Sequence, residues 1–266
     1  MKPTHTRLRP WVGLMAALIA SPSVLTAATV ANPTSSDIFL GFRASGGTGA
    51  STSYVVNLGQ YSQFSGATSG STISLSGIGD IGADLAATFG ANWNTRQDLF
   101  WGVFGVGSSA SATVYTSREQ SPPGTASEPW PLLNSTTRAS TYSQINSVIN
   151  SIGGYRGSES TANSTVGVLQ TNSGQASSYN YQVATAGTTD FGSVSQWSSI
   201  EGDFGSGVAG TSLDLFRINA SSVTNPGSFS ISSSGALSFT AVPEPSSSLL
   251  GLVGASLLLI RRRPNR

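Results

Sequence analysis

Cysteine is absent from the 266-residue chain, and three other reactive residue types are nearly so: His5 and Lys2 stand alone, and Met1 and Met15 are the only methionines. All four lie within the first 15 residues, so a chain shortened at its N-terminus would hold none of these types. That excludes a Ser-His-Asp or Cys-His nucleophile pair, a histidine or thiolate zinc site, a Schiff-base lysine and a phosphate-loop lysine. Disulfides are excluded as well, so the fold is held by packing alone. Charge is scarce: Asp, Glu, Lys and Arg make up 9% of the chain, against about 25% in an average soluble domain. What remains for chemistry is carboxylates, hydroxyls, tyrosine and arginine.

What the chain has in abundance is hydroxyl groups and glycine, with 74 Ser plus Thr and 31 Gly. Its formal charge of +1 hides a segregation. Lys2, Arg7 and Arg9 sit at one end and Arg261, Arg262, Arg263 and Arg266 at the other. Between residues 32 and 241 six arginines face eleven acids, a net charge of −5. Phosphate binding needs clustered cations, so the body is not expected to bind nucleic acid.

Both ends read as addresses. Residues 1–31 run from the basic Lys2, Arg7 and Arg9 through an apolar stretch, Trp11 to Ala20, to small residues ending Thr29-Val30-Ala31. This is the layout of a secretory signal peptide, with cleavage expected after Ala28 or Ala31. The apolar stretch is much shorter than the roughly 20 residues of a bilayer span. At the other end, residues 242–266 carry Val242-Pro243-Glu244-Pro245, three serines, an apolar run from Leu249 to Ile260, and then Arg261-Arg262-Arg263. The run is a minimal membrane span, and the positive-inside rule keeps its arginines cytoplasmic and the body outside.

The order of Val242-Pro243-Glu244-Pro245, short apolar span and terminal arginine cluster resembles the PEP-CTERM protein-sorting signal. The likeness covers about 25 of the 266 residues. It implies a Gram-negative bacterial protein that is exported, held transiently in the inner membrane and cut near the Pro-Glu-Pro element by an exosortase, an integral-membrane processing enzyme. The body would then pass to the cell surface or an exopolysaccharide matrix. Two prolines fix φ and remove donors, which keeps the segment extended as a protease cleft requires.

The body, residues 32–241, reads as one β-rich extracytoplasmic domain. Asp37 to Arg43, Tyr54 to Leu58, Leu99 to Val106, Ala112 to Thr116, Tyr179 to Ala184, Ser212 to Ile218, Ser228 to Ser232 and Ala236 to Ala241 are β-branched and aromatic runs separated by Gly, Ser and Asn. In Ser212 to Ile218 both alternating faces are partly apolar, as in a strand between two layers. The last two runs, joined at Ser233-Ser234-Gly235, predict a hairpin. Two amphipathic helices are expected: one capped by Asp80 with Ile81, Leu85 and Phe89 on one face and Gly90 as its stop, and one from Arg138 to Ile152 closed by Gly153-Gly154. The four-proline segment Ser117 to Pro131 reads as an exposed loop. An antiparallel β-sandwich with two helices is the expected fold, followed by the C-terminal membrane-anchoring helix.

Carboxylate pairs are the chemistry to test first, because glycoside hydrolysis needs only two acids. The candidates are Asp80 with Asp84, Asp98, and Glu201 with Asp203 near Trp197. Each has a structural explanation too: helix cap, first-turn acid, or a turn over Glu201-Gly202-Asp203-Phe204-Gly205. Asp190 and the Glu201-Gly202-Asp203 carboxylates could bind calcium, but no D-x-D-x-D-G loop is present. Trp101 and Trp93 read as core, whereas Trp130, between two prolines, and Trp197 read as exposed rings suited to carbohydrate. A Thr/Ser face that orders water is not expected, because no regular T-x-T array is present.

The sequence therefore reads as an exported, non-catalytic surface or matrix protein, with no cofactor and no resident metal. Its partners would be the exosortase, transiently the inner membrane, and an exopolysaccharide. An extracellular carbohydrate-active enzyme or carbohydrate-binding module using carboxylates and exposed Trp is the alternative. A self-assembling sheath subunit, with exposed edge strands, is a third reading.

Overall fold

The computed structural model describes residues 33–155, 167–185, 190–192, 199–204 and 211–242. The segments expected as signal peptide and sorting tail, apart from Val242, lie outside the described residues, as does Trp197. Mostly β, the body contains β1 (Asp37–Ala44), β2 (Ser53–Gln60), α1 (Tyr61–Ser65), β3 (Thr72–Ser74), α2 (Ile81–Phe89), β4 (Leu99–Val106) and β5 (Val114–Glu119). It continues with α3 (Ser135–Tyr155), β6 (Gly167–Gln170), β7 (Glu201–Asp203), β8 (Ser212–Ile218), β9 (Val223–Ile231) and β10 (Leu237–Ala241).

The expected two-sheet sandwich is replaced by one curled antiparallel sheet. Nine strands run in the order β3-β10-β9-β8-β5-β4-β1-β2-β6, and β7 pairs with the part of β4 that β5 leaves open. The reason is nonlocal: β1 bonds to β2 on one edge and to β4 on the other, from Ile38↔Gly105 to Ala44↔Leu99, which joins what would otherwise be two sheets.

Alternation within the strands explains why one sheet needs two cores. Ile38, Leu40 and Phe42 of β1 point to the concave side, where Leu85 and Phe89 of α2, Phe64 of α1 and Phe229 and Phe239 fill the curl. Phe64 meets Phe229 and Phe239 edge-on, each at 5.0 Å between ring centroids, so α1 ties the chain leaving β2 to the far end of the sheet. On the convex side Phe39 stacks on Phe104 at 5.7 Å beneath Ile145, Val148, Ile149 and Ile152 of α3.

Both expected helices form. Asp80 accepts a hydrogen bond from the Ala83 amide at 2.9 Å and caps α2. The second helix begins three residues earlier than expected and runs through Gly153-Gly154 to Tyr155. Leu99–Val106 and Ser212–Ile218 are strands with the bounds read from the sequence, and β9 and β10 form the expected hairpin. Tyr179 to Ala184 is not a strand: a wide helical turn over Tyr181–Thr185 follows Tyr179, whose ring is drawn into the sheet. The segment expected as a turn at Glu201 is instead strand β7. Ser117 to Glu119 of the expected loop belongs to β5, while the stretch that follows is largely exposed.

Candidate functional site

Among the described residues, the largest concentration of buried ionisable groups lies on the convex face, where β1, β4 and β7 run side by side. Gly41 of β1 and Gly102 of β4 are directly paired, and Gly102 is paired in turn with Glu201 of β7. Tyr179 lies over the two glycines: a Cβ at Gly41 would come within 2.7 Å of its ring, and one at Gly102 within 2.6 Å of its hydroxyl. The paired glycines form a slot that no side-chain-bearing residue would leave open. Phe104 closes it with a stacked contact of 5.2 Å to the Tyr179 ring.

At the end of this slot the Tyr179 hydroxyl donates to Glu201 Oε1 at 2.8 Å. Arg43, two residues beyond Gly41 and therefore on the same face, donates from Nε to Glu201 Oε1 and Oε2 at 3.0 and 2.9 Å and from a terminal nitrogen to Oε2 at 2.5 Å. The Arg43 guanidinium also lies 4.8 Å from the centre of the Phe100 ring. Next to this group, Asp190 accepts from the Ile200 amide at 3.1 Å and from the Ser199 hydroxyl at 3.3 Å.

Burial sets the electrostatics. It raises Glu201 above the usual carboxylate range, against the opposing pull of Arg43 and of the Tyr179 hydrogen bond. Burial likewise raises Tyr179, with the Glu201 charge adding to the effect, and raises Asp190. For Arg43 burial acts downward, but the Glu201 charge and hydrogen bonds outweigh it and raise the guanidinium above its ordinary value. The Glu201 side chain is 1% exposed and both its oxygens are occupied, so the cluster works as an ionic clamp that pins β7 and Tyr179 to β1.

The remaining candidate acids are dispersed. Asp80 is the α2 cap. Asp84 is buried and accepts a hydrogen bond from the buried Tyr54 hydroxyl, a role its first-turn position did not reveal. Asp98 receives 2.8 and 2.7 Å hydrogen bonds from Arg96, which also holds the Gly46, Thr48 and Phe89 carbonyls and so fixes the glycine-rich β1–β2 turn. Asp203 is exposed at the end of β7. Among the described residues no group of three or more His, Cys, Asp or Glu is placed to hold a metal ion.

Trp130 corrects the expectation of an exposed ring. It is 2% exposed, packed in the convex core with Leu133, and covered by the Arg118 guanidinium 5.0 Å above it. The flanking prolines keep the segment extended, and the ring packs into the convex core with residues of α3. Trp93 and Trp101 are core residues, both ringed with Phe204. Val242, at the start of the expected sorting motif, is 43% exposed, and its amide donates to the Pro226 carbonyl. Pro243, Glu244, Pro245, Arg261, Arg262 and Arg263 lie outside the described residues.

A second feature escaped the sequence reading altogether. The convex side of β3, β10, the later part of β9 and the start of β8 is not covered by α3, and its outward residues form two rows that run across the strands. One row is Ser74, Ser238, Ser230 and Ser212; the other is Thr72, Thr240, Ser228 and Asp214. Seven of these eight positions carry a hydroxyl. Ser and Thr are so common in this chain that nothing in one dimension marks these seven; only the strand register gathers them.

Comparison of the chain with protein-family models, with curated proteins and with solved structures returns no match.

Proposed function

We propose that this is an exported, non-catalytic protein of the cell surface or an exopolysaccharide matrix, delivered by a PEP-CTERM-like tail that an exosortase processes. The observation that carries the reading is the order of the chain: a basic and apolar leader, a hydroxyl-rich body of net charge −5, then Val-Pro-Glu-Pro, a short apolar run and three arginines. The position of the tail fits this reading. β10 ends at Ala241, one residue before the exposed Val242 and two before Pro243, so a cut in the Pro-Glu-Pro element severs no strand. The apolar run from Leu249 to Ile260 serves as a transient inner-membrane anchor, with Arg261, Arg262 and Arg263 on the cytoplasmic side.

A non-catalytic role is supported by the use of the buried acids: Glu201 is engaged by Arg43 and Tyr179, and Asp84 by Tyr54. Low charge and many hydroxyls suit a neutral polysaccharide environment. The test is the intact mass of the protein from surface and inner-membrane fractions of the native host, with and without its exosortase. A surface form starting near Thr29 or Asn32 and ending near Pro243, with the tail retained in the deletion strain, is the expected result. A full-length, membrane-bound form in both strains overturns it.

A further inference from the structure

The two hydroxyl rows form a surface with a fixed repeat. Adjacent strands stand about 4.8 Å apart, and outward residues of one strand about 6.7 Å apart. The rows therefore run parallel across four strands, with one hydroxyl per strand spacing, separated by the width of two residues. Thr72, Ser74 and Thr240 are exposed, and Ser212, Ser228, Ser230 and Ser238 are half-buried. Thr72 bonds to Thr240 at 3.0 Å and Ser212 to Ser230 at 3.0 Å, so neighbouring strands hold these hydroxyls in place. The hydroxyls of Ser74, Ser228 and Ser238 make no hydrogen bond among the described residues.

The shelf has a wall on one side. Asp214, the only acid in the rows, is buried and fully engaged: Gln120 donates to one oxygen at 2.7 Å, and the Ser127 amide and hydroxyl donate to the other at 2.6 and 2.8 Å. The loop that carries Ser127 and Glu128 rises there, held by Arg118. On the opposite side β3 is the open edge of the sheet. Among the described residues, the two rows carry no aromatic ring and no cation.

We infer that this shelf binds an extended neutral polysaccharide, laid across the strands with one sugar ring per strand. An extended β-1,4-linked hexose chain advances by nearly one strand spacing per ring, so successive rings meet equivalent hydroxyls. The ring edges carry donors and acceptors on both sides of the chain axis, which is what two parallel hydroxyl rows present. Arg118, paired with Asp214 at the wall, is taken up by Glu128 and the Trp130 ring, and the rows themselves hold no cation, so an anionic polymer gains nothing here. With no aromatic ring in the two rows each sugar binds weakly, and affinity comes from the number of rings in register. The inference rests on the exported, matrix-facing reading of the body and names the ligand class and the surface.

The test uses the full chain in mild detergent, run through native gels containing hydroxyethyl cellulose, an extended β-1,4 glucan, or dextran, a coiled α-1,6 glucan. Hydroxyethyl cellulose is expected to retard the protein and dextran to leave it unchanged. Replacing three hydroxyls together, Ser230→Ala, Ser238→Ala and Thr240→Ala, is expected to weaken the retardation roughly tenfold. A second variant, Thr72→Gln with Ser74→Gln, roughens the open edge at exposed positions and is expected to weaken it also. No retardation, equal retardation by both polymers, or retardation unchanged in both variants overturns the inference. None of these outcomes depends on tail processing, which the mass measurement reads separately.

Discussion

The convex face of this sheet is two surfaces on one scaffold. Over β1, β2, β4 and β5 it is apolar, glycine-slotted and covered by α3; over β3, β10, the later part of β9 and the start of β8 it is hydroxylated and, among the described residues, bare. The strands are the same kind of object in both halves, with large apolar residues on the concave side throughout. What differs is the residue at every second position. Phe39 and Phe104 demand a covering layer, whereas Ser238 and Thr240 are satisfied by water. The boundary runs along a single strand: in β8, Ser212 and Asp214 belong to the hydroxyl rows, while Phe216 and Ile218 are in the convex core. The covered half makes stability and the bare half leaves a surface free for contact.

That contrast can be broken most severely at the ionic clamp. Glu201→Ala leaves the Arg43 charge in a mostly buried site and the Tyr179 hydroxyl without its acceptor, and is expected to cost about 3–5 kcal/mol in chemical denaturation. A loss below about 1 kcal/mol would show that the clamp adds nothing to the covered half. Next comes the slot itself. Gly102→Ala places a methyl 2.6 Å from the Tyr179 hydroxyl and 3.3 Å from Glu201 Cγ, so the ring must lift. The expected cost is about 1–3 kcal/mol, with a change in the near-ultraviolet circular dichroism of the tyrosine.

A matched pair sharpens the comparison directly. Thr116 lies fully buried on the covered half, and its hydroxyl has no partner among the described residues. Thr116→Val is expected to raise stability by about 1 kcal/mol, since it removes an unsatisfied buried polar group. Thr240→Val, on the bare half, is expected to stay within about 0.5 kcal/mol. Equal effects at the two positions would mean that the halves are not distinct.

The smallest expected effect is on pH dependence. Burial holds Asp190 and Glu119 above their ordinary values in the folded chain, so between the ordinary and the folded value the folded state binds more protons than the unfolded state. Stability therefore rises as pH falls from neutral through the folded values, and these groups contribute no further gain below the ordinary ones. Asp98 acts the opposite way: its hydrogen bonds from Arg96 lower it, and that contribution is lost as pH falls towards its folded value. Thermal melts across this range should show an optimum on the acid side of neutrality, and Glu119→Gln should reduce the gain.

Much of the architecture was legible locally. Leu99–Val106 announced itself because a strand buried on both faces reads as a nearly continuous apolar run, and Ser212–Ile218 because its alternating faces are both partly apolar. The Asp80 cap was legible because a first-turn amide needs an acceptor and Asp supplies one within three residues. Trp130 and Glu201 were misread for a shared reason. Exposure was inferred from neighbours in the chain, prolines in one case and glycines in the other, while burial came from elsewhere in the fold: the convex core around Trp130, and Arg43, 158 residues from Glu201. Tyr179 looked like the start of a strand because an aromatic followed by Val and Ala has that propensity. Its ring instead fills a slot whose two glycines lie 138 and 77 residues earlier.

By itself the sequence determined what chemistry the body lacks, where its main strands and helices lie, and the layout of its two ends, because these follow from residue types and from periods of 2 and 3.6 along the chain. Only the tertiary structure decided that the strands make one curled sheet, that Arg43, Tyr179 and Glu201 form a clamp, and that seven scattered hydroxyls stand in two rows. Each of those depends on strand pairing and register, which brings together residues up to 168 positions apart. No local period encodes which strand will be the neighbour.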